Sequence, residues 1–125
     1  MFSKKEKETV NIGKVDTIIG KETNFQGNIK AHGTLRVDGK VEGEIDCQGD
    51  VVIGESGIVT AELKAKNLLV AGFIKGNVNV SGKLEIASSG KLEGDISTGS
   101  LIIDDGALFQ GTCKMAKATV SSGEN

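Results

Sequence analysis

Apolar side chains recur at alternate positions in short runs along most of the chain, and each run closes on a polar, glycine-bearing stretch. Residues 83–113 show the unit most plainly. Leu84 and Ile86 are two apart, Leu92 follows six residues later, and Ile96 lies just past Gly94. The next copy opens with Leu101 and Ile103, then reaches Phe109, Gly111 and Cys113. Alternation at period two marks half-buried strands. A unit that returns at a fixed interval marks a solenoid-like architecture. A helical reading fails, because a 3.6-residue period is absent and glycine falls every few residues.

Six copies can be aligned. Copy one holds Ile19, Phe25, Ile29 and Ala31; copy two holds Leu35, Val37, Val41, Ile45 and Cys47. Copy three holds Val51, Ile53, Val59, Leu63 and Ala65; copy four holds Leu68, Val70, Ile74, Val78 and Val80. Copy five holds Leu84, Ile86, Leu92, Ile96 and Thr98; copy six holds Leu101, Ile103, Phe109, Cys113 and Met115. The second-strand positions 25, 41, 59, 74, 92 and 109 are spaced 16, 18, 15, 18 and 17 residues apart. From first strand to second the step is six residues in copies one, three, five and six, but four in copies two and four. A change of two keeps the inward set inward, so the corner changes length while the core stays in register.

Three short strands per copy, with glycine near the corners, predict one rung of a three-sided parallel β-helix. Glycine supplies positive φ at tight corners, and β-branched residues suit stacked, half-buried strands. Rungs stack about 4.8 Å apart, so six make a prism roughly 29 Å tall. Periodicity leaves the hand of the coil open. The strict six-residue period of the left-handed hexapeptide helix is broken here. Residues 1–16 fall outside the repeat as an N-terminal tail, with Val15 placed to fold over the first rung. The body spans residues 17–118, and residues 119–125 are expected to be a disordered C-terminal tail.

Composition narrows the class. The 125 residues contain no Pro, Trp or Tyr and only four Phe, while Gly numbers 18, about twice its usual share. The core must therefore be narrow and filled by Ile, Val, Leu and Ala. Net charge is −2 with signs interspersed, which argues against a nucleic-acid partner, since that would need a basic face. No apolar stretch reaches membrane-spanning length, and no signal peptide is visible. The expected location is cytoplasmic.

Catalytic chemistry fits poorly. His32 is the only histidine, so a β-helix metal site built from several histidines is excluded on ligand count. It is expected at an exposed corner. Cys47 and Cys113 occupy inward slots on different rungs, some 19 Å apart at the usual rung spacing, too far for a disulfide. Both read as small core residues. Gly54-Glu-Ser-Gly57 is a corner with no helix behind it to hold a phosphate, and no P-loop, dinucleotide or triad pattern is present. No enzyme activity, cofactor or bound metal is expected.

Residues 17–118 resemble the bactofilins, bacterial cytoskeletal proteins. The resemblance rests on Gly27-Asn-Ile29, Gly43-Glu-Ile45, Gly76-Asn-Val78 and Gly94-Asp-Ile96, with the opening Ile18-Ile19-Gly20 and the closing Gly106-Ala-Leu-Phe-Gln-Gly111. It implies an all-β, single-domain, right-handed three-sided β-helix. It also implies non-polar, end-to-end filaments formed without nucleotide, acting as a membrane-associated scaffold in cell shape, wall-enzyme positioning or motility. Cell-wall or motility proteins would then be partners.

Two regions are candidates for function. An open rung at either end leaves unpaired backbone and a bare slice of core, which soluble β-helices usually cover. No amphipathic helix or proline is available at either end to do so. Phe fills the second-strand slot only in the terminal copies, at Phe25 and Phe109. These rings either plug the ends or stack on their own copies in neighbouring molecules. The predicted polymerisation interface comprises Leu101, Ile103, Phe109, Cys113 and Met115 at one end and Ile19, Phe25 and Ile29 at the other. Two different isologous contacts on one subunit give a filament without polarity. The resemblance points to Phe109 above all.

The second region is Met1-Phe2-Ser3-Lys4-Lys5-Glu6-Lys7. Met1 and Phe2 could insert into the inner membrane surface beside Lys4, Lys5 and Lys7. The lysines contribute about 1 kcal/mol each near anionic headgroups, and Glu6 and Glu8 offset part of this. Such binding is weak for one subunit and strong along a filament. Otherwise the segment is a solvated tail. The rival to the whole reading is a non-polymerising β-helical binding module that presents a flat strand face to a protein or polysaccharide.

Overall fold

The computed structural model describes residues 15–115. Eleven strands form one parallel sheet that coils on itself: β1 (Val15–Ile19), β2 (Asn24–Ala31), β3 (Thr34–Val37), β4 (Lys40–Cys47), β5 (Asp50–Ile53), β6 (Ile58–Ala65), β7 (Asn67–Val70), β8 (Phe73–Lys75), β9 (Val78–Ile86), β10 (Lys91–Ile103) and β11 (Leu108–Met115). No helix occurs among the described residues. The longer strands bend around a corner and serve two faces.

The register defines six rungs and three faces. Face one stacks Ile19, Val37, Ile53, Val70, Ile86 and Ile103. Face two stacks Phe25, Val41, Val59, Ile74, Leu92 and Phe109. Face three stacks Ile29, Ile45, Leu63, Val78, Ile96 and Cys113. The second-strand positions aligned from sequence are thus direct ladder partners. The predicted inward residues of copies two to five make the core, and Val41, Val59, Ile74 and Leu92 are all 0 % exposed.

The two step lengths correspond to two kinds of corner. In rungs one, three, five and six a four-residue turn closes on its own hydrogen bond. The donors and acceptors are Thr23 N to Gly20 O, Gly57 N to Gly54 O, Gly90 N to Ala87 O and Ala107 N to Asp104 O, at 2.7–3.0 Å. Rungs two and four take the short corner. There a side chain at Gly39 or Gly72 would strike the carbonyls of the wider turn one rung below. The wider turns also clasp the short ones. Ser56 Oγ donates to Asp38 O and Ser89 Oγ to Ala71 O, both at 2.8 Å.

Between faces two and three the chain turns at Gly27, Gly43, Gly76, Gly94 and Gly111, all with φ between 126° and 143°. These glycines stack in one column, and a Cβ on any but the first would run into the carbonyl of the residue below. Ala61 stands in this column beside Gly43 and is buried, continuing the alternation of Val59, Leu63 and Ala65. The ladder is interrupted between Ala61 and Gly76, so rung four carries β8 and β9 as separate strands.

Candidate functional site at the open ends

Every inner rung has a neighbour above and below, whereas among the described residues rung one pairs only with rung two and rung six only with rung five. Among the described residues, one edge of each terminal rung therefore has no ladder partner, and such an edge is a ready template for another chain. The side chains follow the same logic. Leu101, Phe109 and Cys113 pack on the core with only part of their surface covered, and so do Phe25, Ile29 and Ala31 at the other end. Ile103 is 45 % exposed and Met115 39 %, although their equivalents in inner rungs are sealed. Ile19, the counterpart of Ile103 in rung one, is only 8 % exposed. The last rung is thus the barer apolar slice.

The structure brings the eight predicted interface residues together as two clusters at opposite ends of the prism. Leu108, 56 % exposed at the rim of the last rung, was not among them, nor was Ala107, which packs against the core there. Met1, Phe2, Lys4, Lys5 and Lys7 lie outside the described residues, as do residues 119–125.

The chemistry-bearing side chains are scattered. His32 is exposed at the bend after β2, and the described residues hold no cluster of potential metal ligands. Cys47 and Cys113 are free thiols, one buried and one half-buried. Cys47 does more than fill space: its Sγ donates to Gly33 O at 3.2 Å and accepts from Gly49 N at 3.4 Å. Thr98, three rungs up in the same slot, does the same work. Its hydroxyl donates to Gly82 O at 3.2 Å and accepts from Ser100 N at 3.3 Å. Burial pushes the Cys47 thiol above its ordinary range, against a smaller lowering from Gly49 N–H. Burial also raises Cys113. Raised thiols are poor nucleophiles at neutral pH.

A parallel sheet coiled into three faces around one apolar core is a β-solenoid, and its described residues begin and end on apolar rungs. Residues 17–114 match the profile of the Bactofilin family, described as polymer-forming cytoskeletal, and the chain belongs to that family. It is 34% identical over 100 residues to bactofilin BacP of Myxococcus xanthus, a match that covers 80% of this chain and 42% of BacP. Bactofilin BacO of the same organism is 32% identical over 100 residues, covering 80% of this chain and 79% of BacO. This chain therefore spans less than half of BacP's length. Among solved structures it is similar to the cryo-EM reconstruction of Thermus thermophilus bactofilin double helical filaments. The TM-score is 0.71 at 26% identity, covering 78% of this chain and 98% of that one.

Proposed function

We propose that this chain is a cytoskeletal scaffold subunit that polymerises through both ends of its β-solenoid. The observation that carries the reading is the pair of open terminal rungs, each with a phenylalanine at the end of one shared column. Covering an end slice contributes several kcal/mol at roughly 25 cal/mol per Å², before association costs. Like ends meet like ends, so the filament has no polarity. Assembly needs no nucleotide, in keeping with a sequence that carries no phosphate-binding loop. As in the Thermus thermophilus assembly, two filaments wind together.

The N-terminal segment carries the filament to the inner face of the cell membrane. Met1 and Phe2 insert there, and Lys4, Lys5 and Lys7 meet anionic headgroups. Single contacts of this kind are weak, and their repetition along a polymer makes them effective. On the membrane the filament positions proteins of shape, wall synthesis or motility.

The test is negative-stain electron microscopy of the purified chain beside Phe109→Arg. Long filaments without added nucleotide, lost in the variant while circular dichroism stays β-rich, support the reading. Small particles only, across several salt conditions, would overturn it and favour a monomeric binding module. Co-sedimentation with anionic vesicles, with and without Phe2→Asp, tests the membrane step separately.

A further inference from the structure

The outward side of face one carries a column that reads, from rung one to rung six, Ile18, Arg36, Val52, Leu69, Glu85 and Ile102. Ile18 is 60 % and Ile102 40 % exposed; Val52 and Leu69 are half-exposed and line a shallow depression at the centre of the face. Four aliphatic residues in one outward column are unusual for a face in water. The order of the column is also informative. Turned over about an axis along the strand direction and laid on itself, it sets Ile18 on Ile102, Arg36 on Glu85 and Val52 on Leu69. The neighbouring column pairs Asp50 with Asn67 and Thr34 with Lys83 in that arrangement, again without like charges.

The other two faces do not share this property. In the same antiparallel arrangement face two opposes Lys40 to Lys91 and Glu42 to Glu93. Face three opposes Glu44 to Asp95 and Lys30 to Lys114. Like charges in apposition are costly.

We infer that face one is the lateral docking surface for a second copy of this chain, in antiparallel register, with Arg36 of each copy meeting Glu85 of the other. Arg36 Nε is held by Asp38 Oδ2 at 2.9 Å, which fixes the guanidinium at the edge of the face and leaves its terminal nitrogens for the partner. Five rung steps of about 4.8 Å by a strand of four residues cover roughly 300 Å² per copy. That is well under half of what a specific, stable interface buries per partner. Isolated subunits therefore do not pair through face one. Subunits already joined end to end repeat the contact along the filament and pair by avidity. An antiparallel contact suits filaments that have no polarity.

The inference rests on the filament reading above, and its test separates the two. Wild type, Arg36→Glu, Glu85→Arg and the double charge swap are compared by electron microscopy and by thermal unfolding. Paired filaments in wild type, single filaments of about half the width in each single variant, and pairing restored in the double variant are expected. Leu69→Lys is expected to unpair without shortening. Pairing retained in both single variants, or a folded double variant that stays unpaired, would overturn the assignment of face one. Wild type that forms only single filaments would overturn it as well. A chain that forms no filaments at all fails at the earlier step.

Discussion

Phe25 and Phe109 stand at opposite ends of one column of side chains, joined by Val41, Val59, Ile74 and Leu92 in unbroken ladder register. The four inner members are fully sealed while both rings keep one side uncovered. The column thus turns the same slot into core in the middle and contact surface at the ends.

That relationship distinguishes joints made by like ends from head-to-tail stacking. If like ends join, Phe109→Arg leaves the first-rung joint intact and gives dimers, and so does Phe25→Arg by the other end. The two variants mixed together remain dimers. Head-to-tail stacking predicts the reverse, monomers separately and dimers only in the mixture. Analytical ultracentrifugation reads the difference directly. The double variant is expected to be monomeric, with unfolding close to wild type, because both rings are only partly buried.

The corner glycines give a graded stability prediction. Gly43 has φ of 126° and Gly94 of 132°, and a Cβ on either would strike the backbone carbonyl of the glycine one rung below. Gly43→Ala and Gly94→Ala are expected to destabilise by on the order of 3 kcal/mol or more, since neither backbone can give way without disturbing the ladder. Gly27 has φ of 141° but no rung beneath it among the described residues, where its Cβ would meet only the Phe25 ring, at 3.6 Å. Gly27→Ala is expected to cost about 1–2 kcal/mol, from the positive φ alone. Denaturant unfolding of the three variants, compared side by side, checks the gradient.

Much of this architecture was legible in the chain. Alternation identified the inward residues of the inner rungs, and the four- and six-residue steps separated short corners from hydrogen-bonded turns. Val37 to Val41 and Ile53 to Val59 read the same inward, because two residues return a strand to the same face. Ala61 falls in the same alternation as Val59, Leu63 and Ala65, but its slot holds a corner glycine in the other rungs, so an alignment of the copies passes over it. The unequal exposure of Ile19 and Ile103, residues of one column, depends on surroundings that the alternation does not describe. The outward column of face one escaped for another reason. Its members lie 16 to 18 residues apart, and only the three-dimensional register lines them up. The doublets Ile18-Ile19 and Ile102-Ile103 did hold a clue, since one member of each must point outward under period two.

Cys113 reports on assembly through its accessibility. It is half-buried in the last rung, with Met115 Sδ 4.0 Å from its Sγ. A joint at that end covers it, while Cys47 in rung two is already sealed. Maleimide labelling of Cys113 is expected to slow at least tenfold on polymerisation and to recover in Phe109→Arg, with Cys47 unreactive throughout the folded state. Equal labelling of Cys113 in filaments and in the variant would place the joint elsewhere.

Cys47 links stability to alkaline pH, and the direction follows from its thiol. Burial holds the neutral form, so the folded-state pKa lies above that of the unfolded chain. The folded state then binds this proton more firmly. The associated stability is complete below the unfolded thiol's range near 8.5 and is lost as pH rises through the higher folded value. Thr98 shows which residue can replace it, since its hydroxyl makes the equivalent pair of contacts in the same slot. Cys47→Thr is therefore expected to fold with stability within about 1 kcal/mol of wild type at pH 7, one hydrogen-bonded group standing in for another. Its melting temperature should fall less steeply than that of wild type between about pH 8.5 and pH 10. Cys47→Val, which has the shape of threonine but loses both contacts, should be less stable than Cys47→Thr at pH 7 while showing the same flattened alkaline profile. Equal stability of the two variants would mean that the slot asks only for volume, and that the contacts to Gly33 and Gly49 add nothing.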